Sequence, residues 1–152
     1  MCDTDNHRIQ ILGTDLTHHC SFGSGGTGNG QFNLPFSIAF DRSGDVYIAD
    51  TNNHRIQVFT PEGQYLRMFG SKGAGPGELC GPVGVAIDGD RVYVVDVNNH
   101  RVSVFSTEGK FLNSFGCKGE AKAQFLSPHS VHVNKDGFIL VADYGNNRIQ
   151  VF

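Results

Sequence analysis

The chain has 152 residues, 39% hydrophobic and 18% charged, which is enough apolar material for one folded domain and rules out a disordered tail. Twelve basic residues against 15 acidic ones give a formal net charge of −3, which excludes a nucleic-acid or membrane partner held by bulk charge alone. Cys2, Cys20, Cys80 and Cys117 are too widely spaced for a CxxC metal or redox motif, no apolar stretch follows Met1 as in a secretory signal, and no run is long enough to cross a bilayer. A soluble, cytoplasmic protein in a reducing compartment, without a membrane partner, is the expectation.

From the N-terminus, the first recognisable word is Asn6-His7-Arg8-Ile9-Gln10-Ile11. It returns at 53–58, at 99–104 and, with Asn147 in place of the histidine, at 146–151. The arginines Arg8, Arg55, Arg101 and Arg148 are spaced by 47, 46 and 47 residues. Phe22-Gly23, Phe69-Gly70 and Phe115-Gly116 keep the same step, as do Pro35, Pro82 and Pro128, and Asp50, Asp96 and Asp143. A fixed period of this length marks a repeat architecture.

Within the period that starts at Pro35, the runs 36–41, 46–50, 55–60 and 64–69 are rich in Val, Ile, Phe and Tyr and predict four strands. Arg42-Ser43-Gly44, Thr51-Asn52-Asn53 and Pro61-Glu62-Gly63 supply the turn chemistry between them. Three successive hairpins make an antiparallel meander. Its first strand, like Val83-Gly84-Val85-Ala86-Ile87 in the next period, is small and apolar on both faces, as a strand near a crowded axis should be. The fourth alternates, with Tyr65, Arg67 and Phe69 on one face and Leu66 and Met68 on the other. The Gly-rich stretches 23–34 and 70–81 then lead from an outer strand to the next inner one, which is the connectivity of a β-propeller. No helical periodicity runs for a whole helix, so the fold class is all-β. Segments 1–23, 24–70, 71–116 and 117–152 read as a partial blade, two whole blades and a second partial blade. A WD40 propeller has a similar period, but the sequence has no Trp to make its Trp-Asp pair.

The residues from Pro82 to Val102, reading Pro-x-Gly-Val-Ala-x-Asp, Val-Tyr-Val-Val-Asp and Asn-Asn-His-Arg-Val, resemble the NHL repeat, and the match runs over nearly the whole chain. It is similar in particular to the C-terminal propellers of tripartite-motif and Brat-like proteins. The resemblance implies six blades and a propeller that recognises protein partners or, in some members, single-stranded RNA, while a separate RING supplies ubiquitin-ligase chemistry. This sequence contains no RING, B-box or coiled coil, so ligase activity does not carry over. Thirteen strands are predicted: a third and fourth before Gly23, two whole blades, and a first, second and third at the C-terminal end. Strands at 8–12 and 148–152 would leave unpaired backbone edges, and the outer blades would leave apolar faces uncovered. A place in a longer propeller, or self-association through the open ends, is therefore expected.

The recurring histidines His7, His54 and His100 invite a metal hypothesis, but blade periodicity spreads them around the ring, so turn and inter-blade hydrogen bonding is the expected role. Arg55, Arg101 and Arg148 could form a ring of phosphate ligands; their expected role is pairing with the Asp five residues earlier. The connectors carry Lys72 against Glu78, and Lys118 and Lys122 against Glu120, too balanced for a surface that tracks phosphates. His129 and His132 break the repeat, standing where the other blades have Phe36 or Val83 and Ala39 or Ala86. His129 is expected at the entrance of the central channel and His132 on the opposite strand face. His18-His19-Cys20 lacks a fourth ligand, and the Gly-rich runs lack the helix a phosphate loop needs.

The candidate residues for a partner or RNA are thus His54, Arg55, Lys72, His100, Arg101, Lys118, Lys122, His129, Tyr144 and Arg148. No catalytic residue, metal or cofactor is predicted. The expected function is a non-enzymatic module that binds a protein through its loop face. Single-stranded RNA on that face is the alternative, and a metal-dependent lyase-type propeller is a third class.

Overall fold

The computed structural model describes residues 1–152 as β-strands joined by tight turns, with no α-helix. The N-terminal sheet comprises β1 (Cys2–Asp3), β2 (Arg8–Leu12) and β3 (His18–Phe22). In the connector that follows, β4 (Ser24–Gly25) and β5 (Gln31–Phe32) pair in parallel. The second blade runs through β6 (Pro35–Phe40), β7 (Val46–Asp50), β8 (Arg55–Phe59) and β9 (Tyr65–Phe69). The third follows as β10 (Pro82–Asp88), β11 (Arg91–Asp96), β12 (Arg101–Ser106) and β13 (Phe111–Phe115). The C-terminal sheet has β14 (Ser130–Val133), β15 (Ile139–Asp143) and β16 (Arg148–Val151). Every blade is an antiparallel meander in chain order.

The N-terminal sheet departs from the sequence expectation by one element. Before β2, which the sequence reads as the third strand of its blade, Cys2 and Asp3 pair with Ile9 and Arg8 as a stub of a second strand. Two residues are too few to show alternation, but Asp3 stands 47 residues before Asp50, so the step of the aspartate landmarks carried a signal that the sequence reading missed.

Local chemistry explains the hairpins. In the first turn of the second blade, the Asp41 carboxylate accepts the amides of Ser43 and Asp45, while Gly44 takes a left-handed φ of 89°. Where the second strand passes to the third, a single turn of 3-10 helix intervenes at Thr4–Asn6, Thr51–Asn53, Val97–Asn99 and Tyr144–Asn146. Each of these turns closes on a left-handed residue, His7, His54, His100 or Asn147, two of the residue types that tolerate that conformation best.

Apolar residues of neighbouring sheets interdigitate in three clusters, one per blade interface. The central cluster joins Tyr47, Ile56 and Val58 of the second blade to Val85, Val92 and Val94 of the third. Inner strands β6, β10 and β14 lie side by side, with the Val85 amide donating to Ser37 Oγ across the first gap. On the fourth strand, Leu66 and Met68 are exposed while Phe69 is buried, the alternation its sequence predicts. Because Pro35 pairs with Asp50 and Pro82 with Asp96, the connectors and the 3-10 turns share one end of every blade. That end is the connector face.

Candidate functional site

The recurring polar words build one network four times over. In the second blade, Asp50 is fully buried and its Oδ2 accepts Arg55 Nε at 2.8 Å, Asn53 Nδ2 at 2.9 Å and Gln57 Nε2 at 3.0 Å. Its Oδ1 accepts the Asn33 amide at 2.7 Å. Arg55 Nη2 reaches the carbonyls of Gly28 and Gln31 in the connector, Nη1 meets Met68 Sδ, and Asn53 reaches the carbonyl of Gly26. Asp96 with Asn99 and Arg101, and Asp143 with Asn146 and Arg148, repeat the pattern against their own connectors. Asp3 with Asn6 and Arg8 repeats its core near the N-terminus. A buried carboxylate is tolerable only when its lone pairs are taken up in this way.

The expected Asp–Arg pairing is therefore present, and the guanidinium groups are consumed by it. The Arg55 side chain is 8% exposed and that of Arg101 14%, with donors spent on carboxylate and carbonyls; Arg148, at 32%, is the most open of the three. The arrangement anchors each Gly-rich connector to its blade. It leaves little guanidinium for an incoming phosphate.

The histidines tie each blade to the next. His7 Nδ1 accepts the Leu34 amide, His54 Nδ1 that of Gly81 and His100 Nδ1 that of Ser127, at 3.1, 3.0 and 3.0 Å. Each acceptor nitrogen must be unprotonated. Burial, helped by the positive charge of Lys72, holds the His54 imidazole below its ordinary range, although Asp96 pulls the other way. Thr4 and Thr51 add hydroxyl bonds to the carbonyls of Pro35 and Pro82. No three His, Cys, Asp or Glu side chains converge into a group that could hold a metal ion.

What remains open on the connector face is a different subset of the predicted residues. Lys72, Lys118 and Lys122 are exposed on the connectors. His129 is exposed at the head of β14, and its ring lies against that of Tyr144, with centroids 4.7 Å apart and planes inclined at 31°. Tyr144 is 68% exposed, and Phe36, which holds the position of His129 in the second blade, is 53% exposed.

The expectation that His129 and His132 point to opposite faces assumed plain alternation. A bulge interrupts the first strand at Pro35/Ser37 and at Pro82/Gly84. In the third blade, Val83 and Ala86, the counterparts of the two histidines, both pack toward the following sheet. In the C-terminal sheet the register runs from Ser130 to Val133 without a shift, and both His129 and His132 are exposed.

Gln57, Gln150 and Gln10 also belong to the network, as buried or half-buried amides bonded to Asp50, Asp143 and Asp3. Sequence reasoning missed them. The available signal was a glutamine recurring between two branched apolar residues of a strand, a place where surface glutamine has no reason to recur. In the third blade Ser103 holds the position, and its Oγ is buried without a partner. Burial pushes the Asp96 carboxyl up, against the bonds from Asn99, the Cys80 amide and Arg101. Burial acts upward on Asp143 too, but Asn146, the Leu126 amide, Arg148 and Gln150 outweigh it and hold that carboxyl low.

Four-stranded meanders arranged side by side about their first strands, with connectors passing from outer to inner strand, define a segment of β-propeller. The chain belongs to the NHL repeat family: the family model matches residues 32–59, 79–105 and 125–152, more than half of the sequence. No curated protein matches it in sequence. Among solved structures it is similar to virginiamycin B lyase from Staphylococcus aureus, at 17% identity and a TM-score of 0.69, over 99% of this chain and 50% of that one. An auxiliary nutrient binding protein from Bacteroides thetaiotaomicron aligns at 15% identity and 0.71, over 96% and 42%. The WD40 repeats of RRP9 align at 13% and 0.65, over 97% and 45%. The chain spans about half the length of these structures. At such identities the likeness is one of fold.

Proposed function

We propose that the chain is a non-enzymatic recognition module that binds a protein partner through its connector face. The observation that carries this reading is the division of labour on that face. Asp, Asn, Arg and His side chains are spent on holding the connectors, while Lys72, Lys118, Lys122 and the His129–Tyr144 stack project from the rigid surface they create. Exposed aromatic and cationic groups on a fixed scaffold are what a protein interface uses as anchors.

The finer kinship belongs to the same reading. The repeat words support a propeller of the tripartite-motif or Brat-like kind, the substrate-recognising part of a ubiquitin ligase whose RING would be a separate segment. Four unpaired cysteines support a reducing, cytoplasmic setting.

Single-stranded RNA is the second reading, favoured by the exposed face of Tyr144, on which a base could stack. The two separate in one pair of measurements. Immobilised wild-type chain is expected to retain a protein that Tyr144→Ala and Lys118→Glu variants release, and equal retention by all three would refute the connector face as the site. Filter binding against pooled single-stranded RNA at moderate salt is expected to stay weaker than micromolar; tighter binding, lost in Tyr144→Ala, would put RNA first.

A further inference from the structure

The connector leading into the second blade holds a reactive dipeptide. Asn29-Gly30 is the one Asn-Gly pair in the chain, and Asn29 is exposed to water. Gly30 has no side chain to shield its amide nitrogen, which lies within reach of the preceding side-chain carbonyl through a five-membered ring. In that reaction the nitrogen gives up its proton and bonds to Cγ of Asn29, and the Cγ–Nδ2 bond breaks to release ammonia. Water then opens the cyclic imide. Attack at the former side-chain carbonyl leaves aspartate, and attack at the backbone carbonyl leaves isoaspartate, with an extra methylene in the main chain.

The fold holds that nitrogen in place. Gly30 sits in a tight turn with φ at 75°, closed by the Gln31 amide donating to the Gly28 carbonyl at 3.1 Å. Its own N–H donates to Gln57 Oε1 at 3.0 Å. Gln57 is fully buried on β8, and its Nε2 is tied to the Gln31 carbonyl at 2.7 Å and to Asp50 Oδ2 at 3.0 Å. Arg55 Nη2 grips the turn on both sides of the pair, through the carbonyls of Gly28 and Gln31. A carbonyl oxygen facing the N–H favours the protonated nitrogen over its anion, so the bond to Gln57 removes the nucleophile.

The next connector separates the effect of the glutamine from that of the turn. There the Glu78 amide donates to the Gly75 carbonyl at 3.2 Å, Gly77 has φ at 78°, and Arg101 Nη2 grips the carbonyls of Gly75 and Glu78. Ser103 stands in the place of Gln57, its Oγ has no partner, and the Gly77 amide makes no hydrogen bond. The residue before Gly77 is Pro76, which has no side-chain amide to lose. In the third connector the glutamine is back, and Gln150 Oε1 accepts the Ala123 amide at 3.0 Å. The reactive pair thus stands in a connector that has the glutamine bond, and the connector without that bond has proline.

We propose that Asn29 is a latent deamidation site and that Gln57 is the residue that holds it off. When the contact between β8 and the connector opens, the Gly30 nitrogen is released and the conversion runs. It puts a carboxylate into residues 23–34, which carry no charge. The isoaspartate form also lengthens the chain between the two carbonyls that Arg55 grips, so the connector no longer fits its anchors. The result is a permanent mark on the connector face. The inference is independent of what that face binds.

Peptide mapping by mass spectrometry, on the full chain carrying Pro76→Asn and incubated at neutral pH, tests it. Pro76 is exposed and follows a glycine as Asn29 does, so the substitution builds a second Asn-Gly pair in the matching turn without touching Gln57. In the same folded molecules the introduced asparagine should deamidate about fivefold faster than Asn29, the factor that one ordinary hydrogen bond of about 1 kcal/mol imposes. Adding Ser103→Gln should slow it to the rate of Asn29, and in urea both sites should convert at one common, faster rate. Equal or reversed rates at the two sites in the folded chain would overturn the proposal. So would an introduced asparagine that Ser103→Gln fails to slow, or an Asn29 that converts as fast in the folded wild type as in urea.

Discussion

Asp96 and Asp143 are equivalent buried carboxylates served by different sets of donors. Both are fully buried and both have an asparagine, an arginine and a backbone amide as donors, but only Asp143 also has a glutamine. Ser103 is too short to serve Asp96 in that way, and its own hydroxyl is left unpaired, at a cost of about 1–3 kcal/mol by analogy with other buried polar groups. Ser103→Gln should supply the missing donor and raise stability near neutral pH by roughly 1 kcal/mol. A donor to the ionised form lowers the Asp96 pKa, so the gain is present above that pKa and fades as acid protonates the carboxyl. Urea unfolding at neutral and acidic pH checks both parts, and an unchanged or lowered midpoint near neutrality would show the site is already filled. Such contrasts were half legible beforehand. The Asp–Arg pairing lies within one hairpin, five residues apart, and could be read from the sequence. The partners of Gln57 and Arg55 in the connector lie 24–27 residues away, where spacing gives no guide.

Among the elements, the connectors carry the most information per residue. Gly70 leaves β9 with φ at 88°, and a Cβ there would meet Leu79 Cδ1 at 2.6 Å. Leu79 is fully buried in the central cluster, so neither the backbone nor the neighbour has room to give. Gly70→Ala should therefore cost more than about 1 kcal/mol, measurable as a lower urea midpoint with an unchanged slope. A smaller loss would mean that Leu79 can move aside. The strands and turns were legible because alternation and Gly, Asn and Pro placement are local signals. The first-strand bulge was not, since an extra residue in a ladder depends on what it pairs with.

For the whole molecule, period alone fixed the architecture, because landmarks that keep a common step must occupy equivalent places in equivalent sheets. The number of blades around the axis was not readable in that way, since it depends on what meets the outer faces of the arc. Partner identity is further removed still. The connector face varies from blade to blade in Lys72, Lys118, Lys122 and the His129–Tyr144 stack, while the anchoring residues beneath recur, so the repeat describes the frame and is silent about what the frame displays.

The histidine links also determine how the protein should respond to load. His7, His54 and His100 each fasten one sheet to the connector of the next, so tension applied between the termini would be carried in series through similar fasteners. Stretched between optical traps, the chain should give way in discrete rips. Those from the two whole blades should each release one repeat of 46–47 residues, or about 160 Å of extended polypeptide. A single rip spanning both would mean that the sheets fail together and that the fasteners are weaker than the apolar seams between them.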